Sequence, residues 1–394
     1  MASNVFTDVV PQLLAQGLMA LRENAVTPRL VANKSSAIAG KRGSTLDVPI
    51  PSRMSASAVT PAAYAPNAQA LTPDTVPVTL DHWYESPFDM DDDDYESVMD
   101  GVIPMQASEA IRSIINTVDQ HLLGLHLYVQ GAYGTMGTTP FGTPGVADAT
   151  GIRKVLNKQL APMDPRHVIM DPDAEAAALG LAEFNRMDFS GSVAAMTEGQ
   201  LNRKLGINWW MNQNVPSFTT GTLAHSVLSP AHAAYVNGAL SAGVTTMALD
   251  NNASGTLTGT IKIGDRFTFA GSTIQYVVTN ATSASGNAVT GVTFYPAIPI
   301  GGIADNTVVT FNQTAAATGV ANLAFHRDCI AFATRPLMPT PEGLGAVSLS
   351  AVDPISGLPL RLEVTREYKR TRWSFDLLWG ANVVRPELGA VLWG

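Results

Sequence analysis

Through the last 35 residues, Leu360 to Gly394, apolar and polar positions alternate with a period of two. Leu360, Leu362, Val364 and Tyr368 share one face; Arg361, Glu363, Thr365, Glu367 and Lys369 share the other. That spacing predicts a strand with one buried and one solvated side. The cluster Lys369-Arg370-Thr371-Arg372 is expected to reverse the chain. Trp373, Phe375, Leu377 and Trp379 then alternate with Ser374 and Asp376 on a return strand. A last extended segment follows from Gly380 to Gly389, where Pro386 cannot take a central ladder position.

A helical period replaces the strand period earlier in the chain. Ile111, Ile114, Ile115, Val118, Leu122, Leu125 and Val129 form one stripe, opposite Arg112, Ser113, Asn116, Thr117 and Gln120. The pattern runs over 104–130, about 40 Å at 1.5 Å per residue. Residues 151–221 mix the two periods, with a short helix from Ile152 to Leu160, a strand at Arg166–Met170 and a helix opened by Asp171-Pro172-Asp173. From Thr222 to Val320 only short strands remain, carried by Val244/Thr246/Ala248, Ile261/Ile263, Phe267/Phe269, Ile274/Tyr276/Val278, Val292/Phe294 and Val309/Phe311. Gly, Asn and Ser turns separate them, which predicts a small antiparallel barrel or sandwich. Because the mixed pattern resumes at Asn322, this block is an insertion.

The first 80 residues are less regular. Val9, Leu13, Leu14, Leu18 and Leu21 predict an amphipathic helix. Strand-like Ser44–Ile50 and Val76–Leu80 bracket a stretch from Met54 to Asp74 that is rich in Ala, Pro, Ser and Thr and has no apolar period. A loop of that length is uncommon inside a compact domain. A hairpin reaching out to a neighbouring molecule accounts for it.

Composition narrows the function classes. The chain has 394 residues, enough for two or three domains. Only 14% are charged, against about 25% in ordinary soluble domains. Such a lightly charged surface suits a protein covered by neighbours. A net charge of -9 argues against a dedicated nucleic-acid binder. The single cysteine, Cys329, excludes an internal disulfide and reads as a buried structural thiol. No signal peptide or apolar run of membrane-spanning length is expected, so the sequons at Asn33, Asn252 and Asn280 are chance matches.

Catalytic and ligand motifs fare poorly. Asp89-Met90-Asp91-Asp92-Asp93-Asp94 fails as a calcium loop because Asp94 stands where glycine is needed; it is expected to be a solvated turn before a helix. His121 and His126 are five apart and share no helix face as metal ligands. Gly131-Ala132-Tyr133-Gly134-Thr135-Met136-Gly137 follows a helix, whereas a dinucleotide fingerprint follows a strand, so it is expected to be a flexible connector. There is no Walker element, no Gly-x-Ser-x-Gly elbow and no His-Glu-x-x-His. Catalytic, cofactor-binding and metal residues are therefore assigned to none, and no enzyme is expected.

The succession of strand, basic turn, aromatic strand and Gly-x-x-x-x-Arg-Pro-Glu at 380–387 resembles the C-terminal closure of tailed-phage major capsid (coat) proteins. It resembles specifically the short-tailed group whose Hong Kong phage-type capsid fold carries an inserted β domain. Ile261–Gly271 resembles the first hairpin of that insertion, and Leu205–Met211 with Asn214-Val215-Pro216 resembles the strand leaving the central domain. The resemblance implies an α+β fold with an N-terminal arm (1–37) lying across an adjacent subunit and an extended β-hairpin loop (38–80). A peripheral domain (81–150 and 346–394) would hold the spine helix, about 104–130. An axial α/β domain (151–221 and 321–345) and the inserted β domain (222–320) would complete it.

The same resemblance implies a shell protein that forms hexamers and pentamers of itself and encloses double-stranded DNA without reading its sequence. Its implied partners are a separate scaffolding protein, a portal and a decoration protein. Its implied place is the virion capsid, assembled in the bacterial host cytoplasm. A bacterial nanocompartment shell is the alternative, then a secreted adhesin or hydrolase with a β module. Loss of Arg53 to Asp74 is expected to leave a folded subunit unable to close shells.

Overall fold

The computed structural model describes residues 9–33, 43–51, 54, 56, 73–92, 102–142, 146–186, 198–199, 201–341, 345–353 and 356–394. Two mixed sheets and one closed barrel organise them. The first sheet runs in the order Ala32–Asn33, Ile330–Arg335, Arg370–Val383, Pro359–Glu367, Ala346–Val352, and His82–Asp91 lines the other side of Arg370–Val383. The second runs Gly131–Tyr133, Gly389–Trp393, Thr318–His326, Arg166–Met170, Ile207–Met211, Arg203–Lys204, with Ser217–Thr219 beside the start of Thr318–His326. The barrel closes through Ala233–Val236, Thr246–Asp250, Ala288–Tyr295, Tyr276–Val278, Arg266–Phe269 and Val308–Phe311.

The apolar stripe does what its period predicts. Val102–Gly124 is a helix, about 35 Å long at 1.5 Å per residue, and all seven stripe residues are buried. It is shorter than 104–130: the chain tightens into a 3-10 turn at Leu125–Tyr128 and then extends at Val129. The Val9–Asn24 helix packs on it and on the first sheet of the same chain, burying Leu13, Leu14 and Leu21. Of the expected arm, this helix packs on its own chain, while residues 1–8 and 34–37 lie outside the described residues. The apolar face of this helix finds its complement at home, and Gly17 sits against Ile111, Leu360 and Phe375.

The hairpin is present at its base, where Thr45–Ile50 pairs antiparallel with Asp74–Thr79, Ile50 opposite Asp74. It is rooted by Val78 and Leu80 against Ala331, Ala333, Leu378 and Val384. The leg crosses the long strand so closely at Gly380 that a Cβ there would stand 2.0 Å from the Thr79 carbonyl oxygen. Most of the stretch from Met54 to Asp74 lies outside the described residues.

Three further expectations change. The reversal sits at Tyr368-Lys369, with Glu367 facing Arg370 and Lys369 at φ 53°, so Tyr368 points to solvent, 89% exposed. Arg370, Thr371 and Arg372 belong to the return strand because an acidic strand lies alongside them. Second, Gly131–Tyr133 is a buried parallel strand, not a flexible connector; a Cβ at Gly131 would meet Gln159, Val155 and Ala390 within 2.9 Å. Third, Thr246–Asp250 turns Met247 and Leu249 inward rather than Val244, Thr246 and Ala248.

The expected groupings also divide differently. Ile330–Arg335 lies in the first sheet, apart from 151–221, and Gly389–Trp393 lies in the second, apart from 346–383. The chain crosses between sheets at two adjacent 3-10 turns, Arg327–Cys329 and Pro386–Leu388. The backbone N–H groups of Val384 and Arg385 both donate to the Cys329 carbonyl, at 2.9 and 3.2 Å. Pro386 thus stands outside any ladder, as its missing N–H requires.

Candidate functional site

A polar constellation lies where the barrel meets the second sheet and the end of the long helix. Its centre is Arg266, 4% exposed in the first residue of a barrel strand. Its Nη2 donates to the carbonyls of His126 (2.7 Å) and Val129 (2.9 Å), and Nη1 to that of Gly264 (2.9 Å). The His126 and Val129 carbonyls lie in or just beyond the 3-10 turn that ends the long helix, where the chain leaves its own acceptors unpaired. The guanidinium also stands 5.3 Å over the Trp393 ring. Burial pulls the Arg266 pKa down to about 9, partly opposed by neighbouring Asp265.

Asp265 holds the turn before that strand. Its carboxylate accepts from the backbone N–H of Lys262 at 2.8 Å and of Gly221 at 3.1 Å. Burial raises it to about 6 against those bonds. Two glutamines complete the joint. Gln275 donates to the Ala132 carbonyl (3.0 Å) and accepts from the Ala132 N–H (2.8 Å). Gln313 does the same across Gly134 (3.0 Å) and Met136 (3.1 Å). Side-chain amides here imitate a neighbouring strand along 132–136. Tyr295 donates to Glu387 at 2.7 Å, and Glu387 accepts from Arg385 at 3.0 Å, which ties the Arg-Pro-Glu motif to the barrel. Sequence reasoning missed this joint. The available signal was Asp265-Arg266, the only adjacent charged pair in 222–320.

At the far end of the first sheet the acidic run is half of a charge ladder, a strand where a solvated turn was expected. Asp89 and Asp91 are strand residues. Asp89 accepts from Arg372 at 2.8 Å, Asp91 from Arg370 at 3.0 Å, and Asp92 pairs with Arg366. The Arg372 guanidinium holds the Asp89 carboxyl below the usual carboxylate range. These pairs are exposed, so they fix register more than they stabilise. Asp93 and Asp94 lie outside the described residues. Among the described residues no three His, Cys, Asp or Glu converge as metal ligands.

The two helix histidines serve packing. His126 is buried, donates from Nδ1 to the Leu123 carbonyl at 3.0 Å, and is held down to about 4 by burial and Arg266. His121 lies 3.9 Å, ring to ring, from His82, and its Nδ1 accepts from the Trp379 indole at 3.3 Å. Burial and His82 pull His121 to about 4. The fold therefore favours the neutral ring, so its contribution is complete above about pH 6.5 and is lost as pH falls toward the folded value. Thermal melts between pH 7.5 and 5 are expected to fall less steeply for His121→Gln than for the parent; identical slopes would show that His121 carries no such linkage.

Cys329 is fully buried, and burial pushes its thiol well above the ordinary range, so it is no nucleophile. A cleft of about 840 Å³ between the barrel and the Ala147–Lys158 helix is lined by Tyr133, Lys154, Lys158, Gln159, Arg385 and Glu387. It presents no nucleophile paired with a base.

No family model matches the sequence, and no curated protein matches it. Solved structures do share the fold. A chain from Mycobacterium phage Che8 superposes with a TM-score of 0.50 at 13% identity, covering 93% of this chain and 90% of its own. A chain from the capsid structure of the cyanophage P-SCSP1u gives 0.50 at 12% identity, covering 94% of this chain and 88% of its own. The architecture is a phage capsid fold, α+β throughout.

Proposed function

We propose that this chain is a major capsid protein of a tailed phage, assembling through hexamers and pentamers into an icosahedral shell around double-stranded DNA. One observation carries the reading: a capsid chain matches its fold along nearly the full length of both molecules. Two others support it. The Ala346–Val352 strand closes one edge of the first sheet with Val347, Leu349 and Val352 exposed, an edge that soluble proteins normally blunt or cover. The hairpin strands Thr45–Ile50 and Asp74–Thr79 pair to their ends, Ile50 opposite Asp74, and 23 residues, 51–73, connect them in sequence.

The mechanism is mechanical. Obligate interfaces bury on the order of 2,000–5,000 Å² and are more apolar than transient ones, which a lightly charged surface serves. Each contact can be modest because a closed shell repeats it many times. The barrel, joined by Arg266, Gln275 and Gln313, stiffens the region where the helix ends and both sheets meet. A separate scaffolding protein and a portal take part during assembly, and DNA is confined without sequence reading. No helix among the described residues is long and apolar enough to cross a membrane.

The test is negative-stain microscopy with sedimentation of the purified chain, alone and with a scaffolding protein from the same source. Uniform hollow shells, or hexameric and pentameric rings, are expected. A monomer at every concentration in both arms overturns the proposal.

A further inference from the structure

Three buried nitrogens at the barrel joint have no protein partner: Nε of Arg266, Nε1 of Trp393 and Nε2 of His232. Their residues are 4%, 2% and 3% exposed, so bulk water does not serve them. All three residues line one small cavity of about 10 Å³, together with Thr220, Asp265 and Gln313 and the apolar side chains of Met136, Phe218 and Phe311. That volume is at the lower bound of what a single water molecule needs.

The chemistry of the three atoms is complementary to water. Arg266 Nε and Trp393 Nε1 each carry a hydrogen and can only donate. His232 contacts the Gln313 carbonyl through Nδ1 at 2.8 Å. A carbonyl only accepts, so Nδ1 holds the ring proton and Nε2 presents a lone pair. Burial keeps His232 below its ordinary pKa, which favours this neutral form. The set is therefore two donors and one acceptor around a space of one molecule. Pairing them directly with one another is blocked by their own commitments: Arg266 is held by three carbonyls, and His232 is stacked on Phe311 at 4.6 Å.

We propose that this cavity is a dedicated binding site for one water molecule, which accepts from Arg266 Nε and Trp393 Nε1 and donates to His232 Nε2. Its second hydrogen is directed to Thr220 or Asp265. The bound water is a structural member of the joint. It links a barrel strand, the residue before the first barrel strand and the last strand of the second sheet, three pieces far apart in sequence. Three such groups left unpaired would each bear the desolvation penalty of a buried polar atom, which one water molecule removes.

A density map of the assembled particle or crystallised chain, at a resolution that shows ordered water, tests the site. A peak is expected about 2.7–3.2 Å from all three nitrogens. In His232→Phe, which keeps a ring against Phe311 and removes the acceptor, the peak is expected to disappear while the Arg266 contacts to His126 and Val129 remain. Absence of the peak from the parent map overturns the proposal. So does its persistence in His232→Phe, because His232 would then be no part of the site. If the variant fails to fold, the parent map alone decides.

Discussion

With residues 51–73 replaced by Asn-Gly, the chain is expected to fold, stay soluble and melt within a few degrees of the parent, yet yield no closed shells. The register explains why the fold should survive. Ile50 faces Asp74 as the last pair of the hairpin base, and Asn-Gly is the two-residue turn that joins directly opposed strand ends. Asp74 must be kept, since it opens the second strand; an excision from Arg53 through Asp74 would break that pair. The root is untouched, because Val78 and Leu80 pack against Ala331, Ala333, Leu378 and Val384. Shortening the loop also lowers its closure entropy slightly. What is lost is the segment assigned to contacts with other copies. Particle yield by sedimentation should drop at least tenfold. Normal particles from this variant would remove the hairpin from the assembly mechanism.

The same hairpin shows how far the sequence could be read. Its two strands were legible because Thr45–Ile50 and Val76–Leu80 carry β-branched residues beside turn-forming ones. The long helix and the barrel were legible for a similar reason: both rest on strong local periods. The Val9–Asn24 helix was legible as a helix but not in its destination, since an apolar stripe does not say whose surface covers it. Asp376 and Arg361 show a different limit. Alternation predicted a solvated face, yet Arg361 donates to the buried Asp376 at 2.9 Å and Trp83 donates to it at 3.0 Å. Trp83 comes from the strand paired alongside in the same sheet, some 290 residues away in sequence, and no local pattern encodes that. The barrel joint was illegible for the same reason. Gln275 and Gln313 look like ordinary surface amides until residues 131–137 come alongside.

Arg266→Ala is expected to be the most destabilising single change in the barrel joint, and its pattern matters more than its size. Removal of the guanidinium leaves the buried carbonyls of His126, Val129 and Gly264 without their donor. An unpaired buried acceptor costs about 1–3 kcal/mol. Against this, the variant no longer buries a cation whose ionisation is already disfavoured, which offsets part of the loss. A net cost of about 3 kcal/mol follows, in the range found when one member of a buried polar pair is deleted.

Arg266→Met separates the contributions, because it keeps an apolar stem over Trp393 and restores no hydrogen bond. If the bonds dominate, Met and Ala should destabilise alike; if packing dominates, Met should recover most of the loss. Arg266→Lys should fall between the parent and Ala, since a point charge cannot fork to three carbonyls. Amide exchange locates the damage. The barrel has its own core of Phe267, Phe269, Tyr276, Val292, Phe294 and Phe311, so the amides of Val292 and Phe294 should stay protected. Those of Gln130, Ala132 and Met136, on the far side of the joint, should exchange faster. Uniform loosening of barrel and sheet together would mean that Arg266 supports the whole fold, while an unchanged melt for Arg266→Met would show that the three carbonyls do not depend on it.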